Sequence, residues 1–168
     1  MLFKHASTLI RKGCRIAAVK AGSSEAGSRA ASSHTGALAS SDVSVDALAV
    51  AEINRQDHAM EERLTLIESN LFDSVPDKRY DIIVSNPPYV CAQEMAQLPA
   101  EFAFEPGSTA LAAGENGMDV VLPMLAQAKD YLSDEGILVV EVGYSKPILE
   151  QLYPEVPFFW VDFEFGGD

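Results

Sequence analysis

Positive charge is scarce in this chain: 12 lysines and arginines stand against 25 aspartates and glutamates, for a net charge of −13 over 168 residues. Nucleic-acid binders draw most of their affinity from cationic contacts to phosphate, so direct nucleic-acid binding is disfavoured. Cysteine is also sparse. Cys14 and Cys91 lie far apart, which suits free buried thiols of a reducing compartment better than a disulfide frame or a metal site. No apolar run approaches the length of a membrane span. The start, Met1-Leu2-Phe3-Lys4-His5, lacks the long apolar core of a secretory signal. No segment repeats. These absences point to a cytoplasmic globular protein, and the acidic field favours a small molecule or a basic protein as its partner.

What is present is enough apolar sequence for a sizeable core, 48% of all residues, in one domain's length of chain. The charge is unevenly placed. Residues 1–41 carry a net +5 and residues 42–168 a net −18. A break this sharp predicts two segments of different origin, 1–41 and 42–168, meeting near Ser40-Ser41-Asp42.

The periodicity predicts a short helix over 2–12, stopped at Gly13, and a short buried strand over 14–19. The small-residue run from Ala21 to Ser41 reads as a flexible linker or a loop feeding a weak helix. Asp42 or Ser44 can cap a helix over 45–56, with Ala47, Leu48, Val50, Ala51 and Ile53 on one broad apolar face. Strands are expected at 64–67 and 80–85, a long loop over 86–117, and a helix over 118–132 disturbed near Pro123. A buried strand over 137–142, a short helix over 148–152 and a strand over 158–165 complete the series. Alternating strands and helices imply an α/β domain with a largely parallel sheet.

The sharpest feature is Asn86-Pro87-Pro88-Tyr89, delivered by the apolar run Asp81-Ile82-Ile83-Val84-Ser85. Ligands in open α/β folds bind beyond the carboxyl ends of strands, where this tetrapeptide falls. The prolines fix φ and remove two backbone donors, and their carbonyls remain as acceptors. Asn86 adds a side-chain carbonyl. A rigid cluster of acceptors beside an aromatic ring suits an amide or an exocyclic amine, whose N–H groups it can hold. The plainer alternative is a proline-stiffened turn with Asn86 as its turn residue.

Tyr80 to Val90, Glu105-Pro106, Ala110 to Asp119, Val139 to Gly143 and Phe163 to Asp168 together resemble the HemK/PrmB protein-(glutamine-N5) methyltransferases. The resemblance runs from about Asp42 to Asp168, and Leu98 to Phe102 brings it nearer the ribosomal-protein branch than the release-factor branch. It implies a class I, Rossmann-like fold and S-adenosyl-L-methionine as cofactor. It also implies N5-methylation of a glutamine in a ribosomal protein or release factor. Asn86, Pro87 and Tyr89 would be the catalytic residues, with Pro88 completing the substrate site. Asp42 falls where the family holds the cofactor's ribose, although a helix N-cap would serve equally as its role. Asn70 and Leu71, with Asn86, would complete the cofactor contacts, and Asn70 stands where the family usually has an acid.

The departures lie upstream and at the end. No acidic glycine-rich turn of the kind that holds the cofactor's methionine precedes Asp42, and neither does the family's helical domain. The strand expected after Asp168 is also absent, so the sheet reads as truncated at both ends. Val19 to Ala39 instead resembles a piece of NDP-forming acyl-CoA synthetases, in which His34 would be the phosphohistidine. Three other readings therefore stand beside glutamine methylation: an inactive fusion remnant, acyl-CoA ligation through His34, and N6-adenine methylation, which the charge of −18 opposes.

Overall fold

The computed structural model describes residues 16–20, 36–89 and 117–161, the first of these and Tyr144 as backbone only. The helix expected over 2–12, both cysteines, His34 and the stretches Leu98–Phe102, Glu105-Pro106 and Phe163–Asp168 lie outside the described residues. The chain divides into two compact units, residues 1–86 with 126–140, and residues 87–125 with 141–168.

The first unit holds a five-stranded sheet. Its strands are β1 (Ile16–Lys20), β2 (Ala37–Asp42), β3 (Leu64–Glu68), β4 (Tyr80–Ser85) and β5 (Leu132–Val140), in the spatial order β3-β2-β1-β4-β5. The pairs β2–β3 and β4–β5 are parallel. β1 runs antiparallel to both of its neighbours. The order is that of a doubly wound α/β sheet, with its central strand reversed. Ile16 pairs with Ser41 on one side and with Ser85 on the other. The carboxyl ends of β2 and β4 therefore share one edge of the sheet, and β1 delivers its carboxyl end, Lys20, to the opposite edge.

The strand β2 corrects the linker expected up to Ser41. Only one of its residues, Leu38, is large and apolar, and Leu38 to Asp42 are nonetheless all buried. Serines are poor advertisements for a strand, because their side chains satisfy turns as readily. Here pairing on both sides fixes them.

Helix α1 (Val45–Asp57) starts at Ser44, whose side chain accepts a hydrogen bond from the Ala47 amide at 3.2 Å. Its buried positions are Ala51 and Asn54, and Ala47 and Leu48 are half-buried. Val50 and Ile53 are 47% and 60% exposed, so the expected broad face is narrower than its composition implies. Ile53 sits about 120° round the helix from Ala47, beyond the reach of the sheet. Arg55 anchors the last turn. It pairs with Glu52 at 2.7 Å and donates to the Leu64 carbonyl at 3.1 Å, tying α1 to the start of β3. The guanidinium and the Gln56 amide hold the Glu52 carboxyl below its ordinary range.

Leu38, Met60 and Leu64 form the core between β2 and β3, with Leu66 and Ile82 packed against it. A second contact stacks Phe72, 1% exposed, on Tyr131, with ring centroids 4.6 Å apart. The Tyr131 hydroxyl also donates to the Phe72 carbonyl at 3.2 Å.

Helix α2 (Val121–Tyr131) has Pro123 in its first turn, where a missing amide is tolerated, and the turn continues through it: the Met124 amide reaches the Val120 carbonyl at 3.2 Å. β5 begins five residues before the expected strand. The register slips between Tyr80 and Ile82 to take in the extra residues, and the Ser133 hydroxyl donates to Asp81 there at 2.8 Å.

In the second unit a 3-10 turn (Gly143–Ser145) leads into helix α3 (Lys146–Leu152). Phe158 to Val161 joins no strand, contrary to the pattern of the sequence. Trp160 instead donates to Glu150 at 2.9 Å and receives the Lys146 ammonium over its ring at 4.8 Å. Both partners lie on α3. Among the described residues no helix is long and apolar enough to cross a membrane.

Candidate functional site

The carboxyl edge of the first unit's parallel strands gathers most of the residues singled out by the sequence. Asp42 closes β2 and is 2% exposed. Its Oδ1 accepts the Ser44 amide at 2.7 Å, and Ser44, not Asp42, caps α1. The carboxylate is thus held at the strand end by the turn that follows it. The carbonyl of Asp42 accepts the Ser69 amide at 3.0 Å, which joins the ends of β2 and β3.

That bond brings Asn70 and Leu71 to the same edge. Asn70 is exposed, and its carbonyl accepts the Asp73 amide at 3.1 Å. Leu71 is half-buried with φ at +51°, a left-handed conformation that side chains seldom adopt. The buried Phe72 that follows, stacked on Tyr131, holds the turn in place.

Asn86 follows β4 and is half-buried. Ser41 and Ser85 flank the same β1 residue, so the ends of β2 and β4 stand two strand spacings apart, about 10 Å. Asp42 and Asn86 thus lie across one edge with the amino end of β1 between them. Among the described residues of this unit no glycine-rich turn stands there.

The second unit begins with Pro87 and Pro88, both buried, and Tyr89, half-buried. The Tyr89 hydroxyl donates to Glu141 Oε1 at 3.2 Å. Its carbonyl accepts the Ser145 hydroxyl at 3.5 Å. Gly143, with φ at +50°, lies against the ring so closely that a Cβ would overlap Cδ2 and Cε2 of Tyr89. Gly117, with φ at +71°, meets the Tyr89 carbonyl in the same way. Both positions require glycine on grounds of conformation and of space.

Glu141, Gly143, Gly117 and Ser145 carried no role in the sequence reading. One signal was visible: an acid and a glycine close the apolar run Ile137 to Val142, where strand ends present ligand-facing groups.

A family model described as "Methyltransferase small domain" matches residues 6–114. The chain is 42% identical over 127 residues to the ribosomal protein uL3 glutamine methyltransferase of Francisella tularensis subsp. tularensis (strain SCHU S4 / Schu 4), covering 76% of this chain and 40% of that protein. It is 46% identical over 127 residues to the protein of the same name from Neisseria gonorrhoeae (strain ATCC 700825 / FA 1090), covering 76% and 42%. The corresponding protein of Neisseria meningitidis serogroup A is also 46% identical over 127 residues, covering 76% and 41%. The chain spans about two fifths of the length of the curated relatives it matches.

Proposed function

The chain belongs to the methyltransferase small domain family, with a class I α/β sheet, and we propose that it carries the carboxamide-binding part of a protein-glutamine N5-methyltransferase. The observation that carries this reading is the place of Asn86. It is half-buried at the carboxyl end of β4, on the edge that also holds Asp42. Likeness to the uL3 glutamine methyltransferases supports a ribosomal protein as substrate. A net charge of −18 after residue 41 suits a basic partner of that kind.

An amide nitrogen is a poor nucleophile because its lone pair is delocalised into the carbonyl. In this reading the Asn86 side-chain carbonyl and the Pro87 backbone carbonyl accept its two N–H groups and turn the nitrogen toward the donor. The same acceptors stabilise the positive charge that grows on the nitrogen during transfer. Pro87 and Pro88 fix the acceptors before substrate arrives. Tyr89 packs on the carboxamide, and its π face favours a nearby cation.

S-adenosyl-L-methionine, when bound, supplies an electrophilic methyl group. Asp42, Asn70 and Leu71 are the residues of this edge suited to its adenosine half. The methionine half has no counterpart among the described residues, and no acidic glycine-rich turn stands in the sequence before Asp42. That observation favours a second reading, a remnant that keeps the carboxamide site without completing transfer.

Transfer of labelled methyl to glutamine in a ribosomal protein, followed by mass spectrometry, tests the proposal. The expected result is label on the side-chain nitrogen with the native chain and none with Asn86→Ala. Binding without transfer in the native chain supports the remnant. Transfer by the Asn86→Ala variant removes Asn86 from the mechanism.

A further inference from the structure

We infer that Gly143 and Glu141 are positioning residues for Tyr89, acting together from the segment that follows β5. The inference extends the proposed carboxamide site, on which its functional consequence depends. Tyr89 follows two prolines that fix the backbone leading to it, but prolines do not set the direction of the next side chain. An aromatic side chain at a half-buried position has several rotamers open to it unless its neighbours exclude them. Here the neighbours are specific. Gly143 offers a bare backbone surface to Cδ2 and Cε2 of the ring. Glu141 accepts from the hydroxyl at 3.2 Å. At the other end of the residue, Ser145 donates to the Tyr89 carbonyl at 3.5 Å, and Gly117 leaves room for that carbonyl.

The Gly143 backbone therefore bounds the ring at Cδ2 and Cε2, and the hydroxyl is held at its tip. Held at both points, the ring keeps one orientation at the proposed carboxamide site. Gly143 decides whether the ring fits, and Glu141 decides which way it is held. Neither touches the reacting atoms. The exposed carboxylate matters here as an acceptor, so glutamine can replace it and alanine cannot.

The test uses the full chain with ¹³C-labelled tyrosine rings, the Tyr89 signals being assigned through Tyr89→Phe. Tyr80 and Tyr131, in the first unit, serve as internal controls of folding. In Glu141→Ala the Tyr89 ring signals are expected to move while those of Tyr80 and Tyr131 stay in place. Glu141→Gln is expected to restore them. Gly143→Ala is expected to displace Tyr89 further. If that variant unfolds, the control rings shift as well, and the Glu141 pair alone decides the matter. Titration with N-acetyl-glutamine methylamide provides the functional arm. Its affinity is expected to fall about tenfold in Glu141→Ala and to return in Glu141→Gln, the scale of one lost polar contact. Unmoved Tyr89 signals in Glu141→Ala would overturn the inference. A carboxamide that disturbs no Tyr89 signal in the native chain, with the variants still moving the ring, would refute the proposed function and leave the positioning roles intact.

Discussion

Single residues in this chain are constrained by what surrounds them more than by their own chemistry. Tyr80 is an example at the start of β4. It is 4% exposed, and burial, with a smaller contribution from Tyr131, pushes its phenol above the ordinary tyrosine range. Folding thus favours the protonated ring. The stabilisation is complete below the unfolded pKa of about 10 and is lost as pH rises through the higher folded value. Tyr80→Phe should leave the melting temperature at neutral pH nearly unchanged and flatten its alkaline decline. An equally steep decline in the variant would show that another group drives it. The place of Asn86 and its prolines just after β4 was legible in the sequence because the apolar run before them reads as a strand. The close approach of Gly143 to Tyr89 was not legible, since it joins residues 54 positions apart and only the folded chain brings them together.

Elements formed where apolar periodicity was strong and departed from expectation where it was weak. β4 has the bounds that its apolar run implies. β2 escaped notice because Ala37-Leu38-Ala39-Ser40-Ser41-Asp42 holds one large apolar residue, and strand pairing is decided by partners distant in sequence. The helix that follows depends on its cap. Ser44→Ala should destabilise the chain by about 1 kcal/mol in urea denaturation, the usual loss for a serine N-cap. No measurable loss would mean that Asp42 and the turn hold α1 without it. The direction of β1 was beyond the sequence altogether, as a strand of Ile16-Ala17-Ala18-Val19-Lys20 reads alike both ways. Paired cysteines can determine it, in a background with Cys14 and Cys91 replaced by serine. Ile16 with Ser41 and Lys20 with Ala37 face each other across the β1–β2 pair and should form disulfides on mild oxidation. Cross-linking of Ile16 with Ala37 and of Lys20 with Ser41 would mean a parallel β1.

For the molecule as a whole, the carboxyl ends of β2 and β4 share one edge of the sheet, where Asp42 and Asn86 stand. In the proposed function the end of β4 offers acceptors for a carboxamide whether or not the methionine half of a cofactor finds its place. Carboxamide recognition is therefore the property to measure first. A carboxamide carries two N–H donors where a carboxylate has acceptors alone, so the Asn86 and Pro87 carbonyls should welcome one and repel the other. The measurement is a calorimetric titration of the full chain with a uL3-derived peptide and its Gln→Glu counterpart. Binding of the glutamine peptide at least about tenfold tighter, with the preference lost in Asn86→Ala, is the expected result. Equal affinity for the two peptides would contradict the assignment of Asn86 to Tyr89 as a glutamine site.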